Sequence, residues 1–73
     1  MITIKIRRLR ATKGWTQRQL ADAAGISKSQ LDRIEKNESM PTIDKLCDIA
    51  HALGVPAEET YEYRYIEKNP QSG

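Results

Sequence analysis

Apolar residues recur at helical spacing along most of the chain and alternate with polar ones only near its two ends. Ile6, Leu9, Arg10 and Lys13 share a spacing of three and four ahead of Gly14, which predicts a first helix over about 5–13. Thr16 is a suitable N-cap for a second helix burying Leu20, Ala21 and Ala24, and Gly25 supplies its stop. Ser27 caps a third helix with Leu31 and Ile34 on its inner side, ending near Asn37. Met40-Pro41 enforces extended chain, because the residue before proline avoids the helical region. Thr42 then opens a fourth helix whose Ile43, Leu46, Cys47, Ile49, Ala50 and Leu53 form a wide apolar stripe, closed by Gly54.

The ends have a different period. Ile2, Ile4 and Ile6 alternate with Thr3 and Lys5, and Tyr61, Tyr63 and Tyr65 alternate with Glu62 and Arg64. Period two in residues that favour strands predicts a strand at 1–5 and another at 61–66, each needing the other as partner. Pro56-Ala57-Glu58-Glu59 reads as a helical turn with proline at its first position. A single amphipathic helix over 56–67 is the alternative. Burial of the tyrosines on one face of the small sheet is expected. Residues 69–73 are expected to be a disordered tail, leaving one domain at 1–68.

Composition narrows the class. Seventy-three residues with 38% hydrophobic content suffice for one small core. The expected fold is all-α, with four to five helices and a possible β-pair contributed by the termini. One cysteine excludes an internal disulfide, and Cys47 with His51 is too small a set for a metal site or a nucleophile with its base. Cys47 is expected in the core, with His51 half-exposed. No cofactor, membrane or small-molecule ligand is expected, nor enzymatic activity. The absence of a leader-like apolar run makes the cytoplasm the expected compartment.

Charge is unevenly placed. Residues 1–40 carry nine Lys/Arg against four acids, a balance of +5, whereas 41–73 carry three against six, a balance of −3. A basic half suits a polyanion, although a solvated face has the same look.

The run from Gln17 to about Lys36 adds geometry to that charge. Ala21 provides the small residue needed where two helices touch, Gly25 provides the turn, and Leu20, Ala24, Ile26, Leu31 and Ile34 lock the second helix steeply on the first. Together these are the requirements of a helix-turn-helix. The sequence resembles the Cro/repressor-type helix-turn-helix regulators of phages and bacteria over about residues 6–60. The likeness runs through Ile6-Arg7-Arg8-Leu9-Arg10, Gly14-Trp15-Thr16-Gln17, Ile26-Ser27-Lys28-Ser29, Arg33-Ile34-Glu35, Pro41-Thr42 and Ala50-His51-Ala52-Leu53-Gly54-Val55. Trp15 stands where the family more often has Leu, and should still pack in the core.

The resemblance implies a lambda-repressor-like domain whose third helix enters the major groove of double-stranded DNA. Ser27, Lys28, Ser29 and Arg33 are then expected to meet base edges, with Asp32 on the same solvent face. Gln17 matches a phosphate-holding position at the start of the second helix, with Arg18, Gln30, Lys36 and Asn37 as further phosphate candidates. Arg7, Arg8 and Lys13 either graze the backbone or are merely solvated. Arg10 and Glu35 match a buried structural ion pair of the family. The implied function is sequence-specific transcriptional regulation, as a repressor bound to a palindromic operator. The expected homodimer forms through the terminal strands Met1–Lys5 and Tyr61–Ile66 or through the fourth and fifth helical segments. An antitoxin-like or accessory regulator acting through a protein partner, and an interaction module that has lost DNA binding, are the rival readings.

Overall fold

In a computed structural model, described here for residues 1–65, the chain forms β1 (Ile2–Ile4), α1 (Ile6–Lys13), α2 (Gln17–Ala24), α3 (Lys28–Glu35), α4 (Ile43–Leu53), a 3-10 turn (Ala57–Glu59) and β2 (Tyr61–Tyr63). Each long connection is set by local chemistry. Thr16, Ser27 and Thr42 each turn a side-chain oxygen onto the backbone N–H three residues ahead, satisfying donors that a helix start leaves unpaired. At Thr16 the contact is reciprocal: its hydroxyl accepts from Gln19 N–H at 3.1 Å while the Gln19 side chain accepts from Thr16 N–H at 2.8 Å. Gly25, at φ 74°, reverses the chain between α2 and α3 in the left-handed region that glycine adopts without penalty. Asn37 adopts φ 62° just after α3, and asparagine is among the few side-chain-bearing residues that tolerate it.

The core is one cluster. Ile6, Leu20, Ala21, Ala24, Leu31, Ile34, Ile49 and Leu53 are buried, with Leu9, Trp15, Ile26, Leu46, Ala52 and Val55 packed around them. Each fully buried Leu or Ile contributes about 1.5–3 kcal/mol by leaving water. Trp15 does pack against this core, and Lys13 Nζ sits 4.7 Å from its ring centroid. The α2 helix lies between α3 and α4, so the small Ala21 and Ala24 are what let both neighbours approach.

The termini form a two-stranded antiparallel sheet in the register Ile2↔Tyr63, Thr3↔Glu62 and Ile4↔Tyr61. It is tied to the domain by Lys5 N–H donating to Thr60 C=O at 2.8 Å, and at its far end Met1 and Arg64 exchange backbone bonds of 2.8 Å in both directions. Thr60, fully buried, donates its hydroxyl to Ala57 C=O. The strand reading of the C-terminal segment therefore holds and the single amphipathic helix does not. The strand is shorter than 61–66, and its expected last residue and the tail expected at 69–73 lie outside the described residues. Pro56 precedes the 3-10 turn rather than opening it, because its ψ of 149° is extended.

Three expectations of burial are corrected. Cys47 is exposed, not in the core. It stands about 110° around α4 from the line through Leu46 and Leu53, off the arc that faces α2. Tyr63 and Tyr65 are 59% and 71% exposed, and only Tyr61 is partly covered. Their shared face projects past the part of the domain that covers it. Ile2, Ile4 and Tyr61 meet Met40, Pro41, Ile43 and Leu46 across an open apolar groove of about 270 Å³. Ile43, expected within the apolar stripe of α4, is 77% exposed beside it.

Candidate nucleic-acid interface

The exposed side of α3 carries the predicted contact residues on a narrow arc. At 100° per residue, Lys28, Asp32, Lys36, Ser29 and Arg33 fall within about 140° of one another. Lys28, Ser29, Arg33 and Lys36 are exposed, and Leu31 and Ile34 are buried on the other side of the helix. Ser27 sits at the helix start with its hydroxyl oxygen accepting from Gln30 N–H at 3.0 Å, which leaves its O–H donor and one lone pair free. Arg18 and Asn37 are exposed, at the start of α2 and beyond α3 respectively, while Gln30 is half-buried. Arg7, Arg8 and Lys13 are exposed on α1.

Behind this arc lies a polar network. Arg10 on α1 forms a bidentate pair with Glu35 on α3, Nε to Oε2 at 2.7 Å and Nη2 to Oε1 at 3.1 Å. The Glu35 side chain is 2% exposed and that of Arg10 15%. The third guanidinium nitrogen donates to Trp15 C=O at 2.9 Å, fixing the loop between α1 and α2. Gln17 completes the network: its side-chain amide donates to Glu35 Oε1 at 3.0 Å and to Asp32 Oδ1 at 3.1 Å. One glutamine at the start of α2 thus holds two carboxylates of α3. Nothing local foretells this, since the partners lie 15 and 18 residues away. With both amide hydrogens turned inward, the donor that Gln17 keeps for an anion is its backbone N–H.

Asp32 sits within the basic arc. Its carboxyl is held below its ordinary value, first by the Gln17 hydrogen bond and then by Lys36, whose Nζ lies 3.0 Å away. Lys36 is raised in turn, first by its hydrogen bond to Asp32. Both groups are therefore charged at neutral pH, and this acid partly offsets the cations beside it. Cys47 and His51, four apart on α4, are both exposed. Among the described residues no three ligand-type side chains gather as a metal site would require. No helix of the described residues is long and apolar enough to cross a membrane.

Short caps, a glycine turn between α2 and α3, the packing of α3 on α2 and a basic outer arc define a helix-turn-helix domain of the lambda-repressor type. The chain belongs to the helix-turn-helix family of Cro/repressor-type DNA-binding transcriptional regulators, whose profile matches residues 6–59. It is 44% identical over 55 residues to the transcriptional regulator SutR of Escherichia coli, covering 75% of this chain but only 31% of SutR. Among solved structures, it superposes on the restriction-modification controller protein C.AhdI of Aeromonas hydrophila with a TM-score of 0.75, 27% identity, and coverage of 77% of this chain and 85% of that one. It is also similar to SinR of Bacillus subtilis, whose crystal structure in complex with DNA matches at TM-score 0.69 and 35% identity, over 73% of this chain and 86% of that one.

Proposed function

We propose that the chain is a sequence-specific transcriptional repressor that reads the major groove with α3 and occupies a palindromic operator as a homodimer. The observation that carries this reading is the exposed arc of Lys28, Ser29 and Arg33 at the outer side of α3, set on a core and an ion-pair network that fix its angle. Ser27, Lys28, Ser29 and Arg33 are assigned to base edges: lysine and arginine match guanine O6 and N7, and serine suits several edges. The backbone N–H of Gln17 at the start of α2, with Arg18, Gln30, Lys36 and Asn37, is assigned to phosphates, which set register rather than sequence. The capture of SinR in complex with DNA supports the same use of a similar surface here. Arg10 and Glu35 are assigned to the scaffold.

Selection of bound duplexes from a random pool tests the reading directly. The expected product is a pair of inverted half-sites spaced about one helical turn, ~34 Å, centre to centre. On the selected duplex, Arg33→Ala weakens binding by ~1–3 kcal/mol and relaxes discrimination at one base pair. Equal loss on every sequence removes the base-reading role from Arg33. Affinity independent of salt overturns DNA binding itself, since phosphate contacts must release counterions.

A further inference from the structure

The sheet of the termini has one feature that the DNA-binding reading leaves unused. In β2, the backbone groups of Arg64 and Thr60 bond to β1, through Met1 and Lys5. By alternation Glu62 points the same way, so Tyr61, Tyr63 and Tyr65 direct their N–H and C=O groups to the opposite edge. No described residue pairs with that edge. An open edge is a template for another strand, and its side-chain pattern specifies which.

Resting on the two-copy reading above, we propose that the partner is a second copy of this chain. Its β2 pairs antiparallel with β2 across a two-fold axis through Tyr63, making a continuous four-stranded sheet. Registers centred on residue 62, 63 or 64 are the compatible ones that overlap most of the strand. Centring on 62 sets Glu62 against Glu62, and centring on 64 sets Arg64 against Arg64. Only the register on Tyr63 places Glu62 of each copy opposite Arg64 of the other, twice. Those pairs fall at the non-hydrogen-bonded positions, where strands bring opposed residues closest. The same register opposes Tyr63 to Tyr63 and Tyr61 to Tyr65, with the main-chain bonds exchanged at these tyrosines. Glu62 and Arg64 are exposed, and the 3.5 Å ion pair they make within one chain would be exchanged for two pairs between copies. The apolar faces holding Ile2 and Tyr63 become neighbours across the axis, which gives the exposed tyrosines a partner.

Charge reversal tests the register. Glu62→Arg makes both opposed pairs Arg–Arg, and Arg64→Glu makes both Glu–Glu. Each single variant is expected to raise the dimer dissociation constant by about tenfold or more in sedimentation equilibrium. It should equally reduce the cooperativity with which two copies fill the selected duplex. An equimolar mixture of the two variants restores both opposite-charge pairs in the mixed dimer, as does the double variant in its homodimer, and both should return to within about twofold of the original chain. Mixing does not repair a chain that failed to fold, so rescue isolates the interface. If the original chain dimerises and neither single variant weakens it, the register is wrong while the two-copy reading stands. If the original chain stays monomeric free and on the selected duplex, the two-copy reading falls and the register with it.

Discussion

The segment from Thr16 to Asn37 and the apolar groove formed with the terminal sheet are built to opposite standards of completeness. In the first, the helix starts are capped, the turn residues suit their backbone angles, and the buried acid Glu35 has both oxygens bonded. In the second, Ile2, Met40, Ile43, Tyr63 and Tyr65 remain open to water and a strand edge is unpaired among the described residues. The difference teaches where this small domain spends its sequence. One region is finished within a single chain, and that completeness fixes the angle at which α3 presents its outer side. The other is left open in a single chain, as the proposed pairing of two copies requires.

Removing one member of the ion pair is the most severe way to break that contrast. Arg10→Met leaves the buried Glu35 carboxylate without its cation, with only the Gln17 hydrogen bond remaining, and is expected to destabilise the domain by about 3–5 kcal/mol in urea unfolding. The paired change Arg10→Met with Glu35→Leu should recover most of the loss, because it is the stranded charge that costs, not the absent bridge. A single change costing under about 1 kcal/mol would place Glu35 in contact with water and end the claim that this region is sealed.

Next in size is a matched pair of truncations. Leu31→Ala, on the buried side of α3, should cost about 2–5 kcal/mol. Ile43→Ala, on the open face, should stay within about 0.5 kcal/mol when the protein is dilute enough to be monomeric. Comparable losses from the two would mean that the groove is already covered in the monomer.

Smaller effects sharpen the picture. Thr16→Ala removes half of a reciprocal cap and should cost about 1 kcal/mol in thermal unfolding. Acid titration probes the Asp32 link. Because its folded value lies below the ordinary aspartate value of about 3.9, its contribution is present above that pH and is lost as pH falls through the folded value. Stability should therefore show a small acid-side decline that Asp32→Asn flattens, measured as the urea midpoint between about pH 4.5 and 2.5. An identical decline in both proteins would remove Asp32 from the network.

The two regions also differ in how far they could be read in advance. Helix limits around Thr16, Gly25, Ser27, Thr42 and Gly54 were legible because capping and left-handed turns depend on a residue and its nearest neighbours. The partnership of Arg10 with Glu35 was legible through resemblance to a family rather than through any local pattern. The clamp by Gln17 was not legible, since it joins groups brought together only by the crossing of α2 and α3. Cys47, Tyr63 and Tyr65 were expected to be buried because periodicity identifies a face without saying whether anything lies against it.

By itself, then, the order of residues determined the elements, their ends, the helix-turn-helix and the basic arc on the third helix, all properties of spacing and of short-range backbone chemistry. Only the tertiary structure decided how the faces meet: that Gln17 turns inward to two carboxylates, in what register the two terminal strands pair, and that the apolar surface beside them stays open. Burial is a relation between segments distant in the chain, and no local sequence signal encodes it.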